Sequence, residues 1–216
     1  KSKDGKYIFI QSQSTMSSEV RYLPSDTPNG DFKVFQPRMK DVLYSVAPLA
    51  DKFLVRTNAD GAKNFKIVET PLDNTAKENW KDFIPHRNDV LIEGIDEFKE
   101  FLVVSERKNG LTNLSIRNLT DNSVHDLDFG EAAFTVYSST NAEYNTDVVR
   151  YGYTSMVTPS STFDYNMKTK EKTLLKQQEV LGGYNPEEYV TERTFATATD
   201  GTQVPISLVY KKGTKK

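Results

Sequence analysis

The sequence predicts an all-β protein assembled from repeated four-stranded units. Three observations carry this. Four segments share one pattern at a nearly constant interval, Gly-containing pairs punctuate the turns, and helical periodicity is almost absent.

The repeat organises everything else, because a fixed period constrains a fold more than any single element does. Segments 4–26, 50–73, 98–121 and 145–169 each read as an apolar strand, a polar turn and a second alternating strand. Anchored on Tyr7, Phe53, Phe101 and Val148, the intervals are 46, 48 and 47 residues. Shorter strands fill the gaps. Those at 42–48, 90–95 and 133–139 precede a repeat, and those at 32–37, 79–85 and 124–129 follow one. The strands are rich in β-branched and aromatic residues. Asn29-Gly30, Asp60-Gly61 and Asn109-Gly110 are expected to supply the positive φ angles that tight hairpins need.

A period of about 45 residues with four strands is the pattern of a β-propeller blade. A β-sandwich also uses many short strands, but nothing makes it repeat at a fixed period. Residues 1–180 therefore read as a partial β-propeller of about four blades. The first repeat starts at what would be the second strand of its blade, so the expected whole is a larger ring. The start at Lys1, with no signal-peptide pattern, is expected to be a cut.

Composition changes near residue 180. Residues 174–183 read as a strand end followed by a linker, with Gly182 and Gly183 as a candidate hinge in a joint spanning 181–189. Pro186 suits the first position of a single helical turn. Residues 190–216 then read as two strands joined at Asp200-Gly201, with Val204-Pro205 marking an edge strand, since proline cannot donate a ladder hydrogen bond.

Bulk properties exclude several classes. The chain has 216 residues, 37% hydrophobic and 27% charged, enough for a folded domain with a core. Its net charge of −2 comes from interspersed acids and bases. Neither a basic nucleic-acid face nor a polybasic membrane anchor is present in that pattern. A membrane-spanning helix needs about 20 apolar residues; the longest runs, such as Phe101–Val104, are far shorter. The absence of cysteine excludes disulfides, thiolate metal sites and a cysteine nucleophile, and leaves the compartment open.

No active site is legible. His86 and His125 lie in different repeats and read as surface residues near turns. No ligand cluster of zinc-site spacing surrounds them. The serines of 12–18 and 160–161 have no histidine nearby in sequence and read as turn formers. No G-x-S-x-G elbow, Walker loop or G-x-G-x-x-G occurs, so no cofactor is expected. Asp89, Glu93, Asp96, Glu97 and Glu100 read as a solvated acidic face. By themselves the residues describe a scaffold that binds or filters, and a stand-alone propeller for protein partners is one reading of it.

The last third adds a resemblance. It runs through Tyr151-Gly152-Tyr153-Thr154-Ser155, Thr158-Pro159, Phe163-Asp164-Tyr165-Asn166 and Lys168-Thr169. It continues through Glu179-Val180, Gly182-Gly183-Tyr184, Tyr189, Thr191-Glu192-Arg193, Asp200-Gly201-Thr202, Val204-Pro205 and Ser207–Tyr210. This order resembles the domain junction of the prolyl oligopeptidase family, on its oligopeptidase B (protease II) side. Residues 106–114 resemble an earlier blade of the same family.

The resemblance implies a seven-bladed propeller capping an α/β-hydrolase domain that carries a Ser-Asp-His triad. This chain would hold the C-terminal blades and the first hairpin of the hydrolase domain. It implies short peptides as substrates, cut after Lys or Arg, with the propeller as a gate that excludes folded proteins. It also implies the remaining peptidase domain as a partner in cis and favours the cytoplasm, with the periplasm as the alternative. No catalytic, cofactor-binding or metal-binding position can be carried onto this chain. Blade faces left uncovered are expected to support a homodimer.

Overall fold

The computed structural model describes residues 1–214. Lys215 and Lys216, the end of the predicted 190–216 segment, lie outside the described residues. The strands group into five antiparallel sheets taken consecutively from the chain. The first blade holds β1 (Tyr7–Gln13), β2 (Ser18–Pro24) and β3 (Lys33–Gln36). The second holds β4 (Tyr44–Leu49), β5 (Lys52–Thr57), β6 (Lys66–Pro71) and β7 (Lys81–Ile84). The third holds β8 (Val90–Glu97), β9 (Phe101–Lys108), β10 (Leu111–Asn118) and β11 (Val124–Asp126). The fourth holds β12 (Phe134–Ser138), β13 (Val148–Ser155), β14 (Ser161–Asn166) and β15 (Lys172–Gln177). A separate hairpin follows, β16 (Tyr189–Thr197) paired with β17 (Gln203–Lys211).

Phe53, Phe101 and Val148 all fall on the second strand of their blades, as the period requires. Tyr7 opens a three-stranded sheet whose order, β1-β2-β3, matches β5-β6-β7, so the first blade lacks its innermost strand here.

Strand sequence reports blade position. In the second blade Phe53 and Val55 pack with Tyr22 and Phe35 of the first blade. Leu54, between them, packs with Ile92 and Leu102 of the third. In the third blade Phe101 and Val103 face Val149 and Tyr151 of the fourth, whereas Leu102 and Val104 face back to the second. A strand buried on both faces must be apolar at every position, which explains the continuous runs at 53–55 and 101–104. The terminal blades alternate instead. On β13, Val149, Tyr151 and Tyr153 are buried, while Arg150 points outward to Asp164 at 2.7 Å. On β1, Tyr7 and Phe9 pack inward and Ile10 is exposed. Gly152 on β13 lies opposite Tyr137 of β12, whose ring occupies the place where a Cβ would sit.

The turns divide in their use of glycine. Asn109 (φ 50) and Gly110 (φ 77) form a two-residue loop between Lys108 and Leu111, both left-handed, as a primed hairpin turn requires. Asp60 (φ 59) and Gly61 (φ 77) are also left-handed but sit in a longer loop carrying one 3₁₀ turn. Gly30 does not adopt a positive φ, contrary to expectation; its Cβ direction is closed by Leu23 and the Thr27 carbonyl, so close packing explains it. The Asp200-Gly201 turn is a five-residue loop, 198–202, with only Gly201 left-handed (φ 85).

The acidic run also departs from expectation. Asp96 accepts from Lys3 at 2.6 Å and from Ser138 and Asn141 at 3.0 Å each. Glu97 is half-buried beside it, and desolvation raises its carboxyl to about 7. Strand alternation cannot reveal this, because Lys3, Ser138 and Asn141 reach the Asp96 carboxylate from distant parts of the chain. Asp89 and Glu93 do pair at the surface, with Lys108 and Arg107. No described helix is long and apolar enough to cross a membrane.

Candidate functional site at the joint between blades and hairpin

Two loops that join second and third strands, 109–110 and 156–160, border one cavity at one end of the blade stack. The joint and the hairpin sit at this end. The Gln178 amide donates to the Ser160 carbonyl at 2.8 Å and closes the fourth blade. The chain then loops into solvent, with Leu181 89% exposed, and turns at Gly182 (φ 87) and Gly183 (φ 74). No atom lies within 4 Å of either glycine's Cβ direction. The loop returns at Tyr184, whose hydroxyl donates to the Val157 carbonyl at 2.8 Å. Both ends of the glycine loop are thus pinned to one turn, 156–160.

That turn is itself braced. The Ser155 hydroxyl accepts from the amides of Val157 (3.0 Å) and Thr158 (2.8 Å). One oxygen of Glu131 accepts from Tyr153 Oη at 2.7 Å and Thr158 Oγ1 at 2.6 Å. Burial, followed by the Glu131 carboxylate, pushes the Tyr153 phenol well above its ordinary range, so it stays a donor at any working pH. Beyond Tyr184, Asn185 caps a 3₁₀ turn over Pro186–Glu188, its side chain accepting from the Glu187 amide at 3.1 Å. Pro186 takes the first position, where its missing N–H costs nothing.

From β16, Arg193 reaches back to the third blade. Its guanidinium donates to the Asn109 carbonyl at the apex of the β9–β10 turn and, at 3.2 Å, to Ser207 on β17. A Cβ on Gly110 would lie 3.1 Å from the Arg193 guanidinium and 3.2 Å from Pro205. A cavity of about 310 Å³ lies at this junction, lined among others by Gly110, Phe134, Ser155, Arg193 and Ser207. A second, of about 520 Å³, lies under the linker between the 154–160 segment and Tyr184.

The histidines stand elsewhere. His86 Nε2 accepts from the Asn64 amide at 3.3 Å, and His125 Nε2 meets Tyr165 Oη at 2.9 Å across the third and fourth blades. Both are half-buried rather than free at the surface: His125 closes a contact between neighbouring blades, and His86, just after β7, closes on the β5–β6 loop of its own blade. Among the described residues no group of three or more His, Asp or Glu could hold a metal ion.

Residues 1–178 match the family model described as the prolyl oligopeptidase N-terminal β-propeller domain. The chain belongs to the prolyl oligopeptidase family. Within it, the chain is 47% identical over 213 residues to dipeptidyl aminopeptidase BI of Pseudoxanthomonas mexicana, covering 98% of this chain and 29% of that protein. It is 31% identical to protease 2 of Moraxella lacunata, covering 99% of this chain and 30% of that one. Among solved structures, oligopeptidase B of Trypanosoma brucei in its closed, antipain-bound form superposes with a TM-score of 0.87 at 34% identity. That match covers 99% of this chain and 32% of the enzyme. Oligopeptidase B of Leishmania major gives 0.87 at 30% identity, covering 99% and 31%. The chain thus spans under a third of the length of these prolyl oligopeptidase relatives. It is the propeller part of an oligopeptidase B-like member of the family.

Gly182 and Gly183, singled out in the sequence, both take left-handed φ values. Sequence reasoning missed Tyr184–Val157 and Arg193–Asn109, which are 27 and 84 residues apart. The "TER" triplet was visible, but nothing local tells a strand arginine where its guanidinium goes.

Proposed function

We propose that this chain is the gate of a serine oligopeptidase. The blades admit short peptides to a hydrolase domain that begins with the β16–β17 hairpin, and they exclude folded proteins. The observation that carries the reading is the joint. Two unobstructed glycines in left-handed conformation lie between the blade stack and the hairpin. Such a joint suits access by interdomain opening. Gly182 and Gly183 are the proposed pivot. The substrates are short peptides, the preferred cleavage is after Lys or Arg, and the remaining partner is the rest of the hydrolase domain in cis. The proposed compartment is the cytoplasm.

One observation favours a second specificity. The 47% identical relative is named a dipeptidyl aminopeptidase, a name that implies release of N-terminal dipeptides. The test is an assay of the full-length protein on two fluorogenic peptides, one blocked at its N-terminus and ending in Arg, the other a free dipeptide amide. Cleavage of the blocked peptide supports the first specificity, and cleavage of only the free one supports the second. Hydrolysis of neither overturns the peptidase reading.

A further inference from the structure

We propose that Arg193 is the latch of the gate, holding the hairpin, and the domain it begins, against the apex of the third blade. Three observations converge on it. The Arg193 guanidinium donates to the Asn109 carbonyl, a group at a two-residue turn where the strand ladder offers no partner. Gly110 leaves room for this, since a side chain there would meet both Arg193 and Pro205. The cavity beside the contact shows that the two surfaces meet at the hook without packing continuously around it.

The placement gives the contact leverage. The joint is anchored on the fourth blade through Gln178–Ser160 and Tyr184–Val157. Arg193 grips the third blade. A hairpin pivoting on the glycines carries Tyr184 and Arg193 with it, so leaving the stack requires release of Val157 on the fourth blade and of Asn109 on the third. An arginine suits this role because it remains charged at every physiological pH and presents several donors in a fixed fork, here used on Asn109 and Ser207. A lysine keeps the charge but presents its donors from a single nitrogen on a flexible stem, without the fixed fork. Loss of a hydrogen bond made by a charged group shifts an opening equilibrium by about tenfold or more.

The kinetic consequence rests on the peptidase reading; the structural one does not. The chain has no cysteine, so labels can be placed at will. Ala198→Cys at the hairpin tip and Thr120→Cys on the third blade, both exposed, define one distance across the latch. Spin labels there should give a single narrow distance distribution in the 216-residue chain, a broad or double one with Arg193→Ala, and an intermediate one with Arg193→Lys. A distribution unchanged by Arg193→Ala overturns the latch. In the full-length protein, Arg193→Ala should raise kcat/KM for a long peptide relative to a short one about fivefold or more, with Arg193→Lys in between. A shifted distribution with an unchanged ratio overturns the gating role. A shifted distribution in a protein that hydrolyses no peptide leaves the latch standing and removes the peptidase reading instead.

Discussion

His125 of the third blade and Tyr165 of the fourth meet at 2.9 Å across the blade interface, their rings 6.0 Å apart. Burial, and then Lys170, lower the histidine pKa below its ordinary 6.5. The fold therefore prefers the neutral ring. Its contribution is fully present above pH 6.5 and is lost as pH falls through the lower, folded-state value. His125→Gln should flatten that acid limb in urea melts between pH 5 and 7. An unchanged slope would show that the contact does not titrate.

Glu97 should act in the opposite direction. Its carboxyl is raised from 4.5 to about 7, chiefly by desolvation, and the fold prefers it protonated. Stability from this group is present below pH 4.5 and is lost as pH rises through about 7. Glu97→Gln should stabilise the chain by about 1–3 kcal/mol at pH 8 and change little at pH 4. Equal effects at both pH values would rule out titration of Glu97 as the cause.

Phe53 should be the costliest position in the second blade. It is 0% exposed and packs edge-on to Phe35 with centroids 5.2 Å apart. Phe53→Ala should cost about 3–5 kcal/mol in denaturant melts. Ile10→Ala, at a position 49% exposed on the open face of the first blade, should cost less than about 1 kcal/mol. Comparable losses would contradict the stacking of the blades described above.

The same open faces should drive association of the 216-residue chain. Ile10 and Met16 are exposed on the first blade, and Leu174 and Leu175 on the outermost strand of the fourth. Apolar faces of this kind tend to find partners. Light scattering should show a mass that rises with concentration, and Ile10→Lys combined with Leu174→Glu should return it toward the monomer. A monomer at all concentrations would exclude the proposed dimer.

The period, the strand order and the pairing within each blade were legible in the sequence because antiparallel hairpins are local. Alternation fixes which residues face together, and short turns such as Asn109-Gly110 fix register between neighbours in the chain. The continuous run Phe101–Val104 is explained only by the stacking, which buries it against both neighbouring blades. The rest depended on how sheets stack and where loops fold back. Asp96 and Glu97 lie on a strand that reads as solvated, yet Lys3, Ser138 and Asn141 close over Asp96 from residues up to 93 positions away. Arg193 finds Asn109 because the hairpin, which follows the fourth blade in the chain, comes to lie against a turn of the third. Contacts of that kind depend on the angle between packed sheets and on the course of the joint, and these leave no period in the sequence.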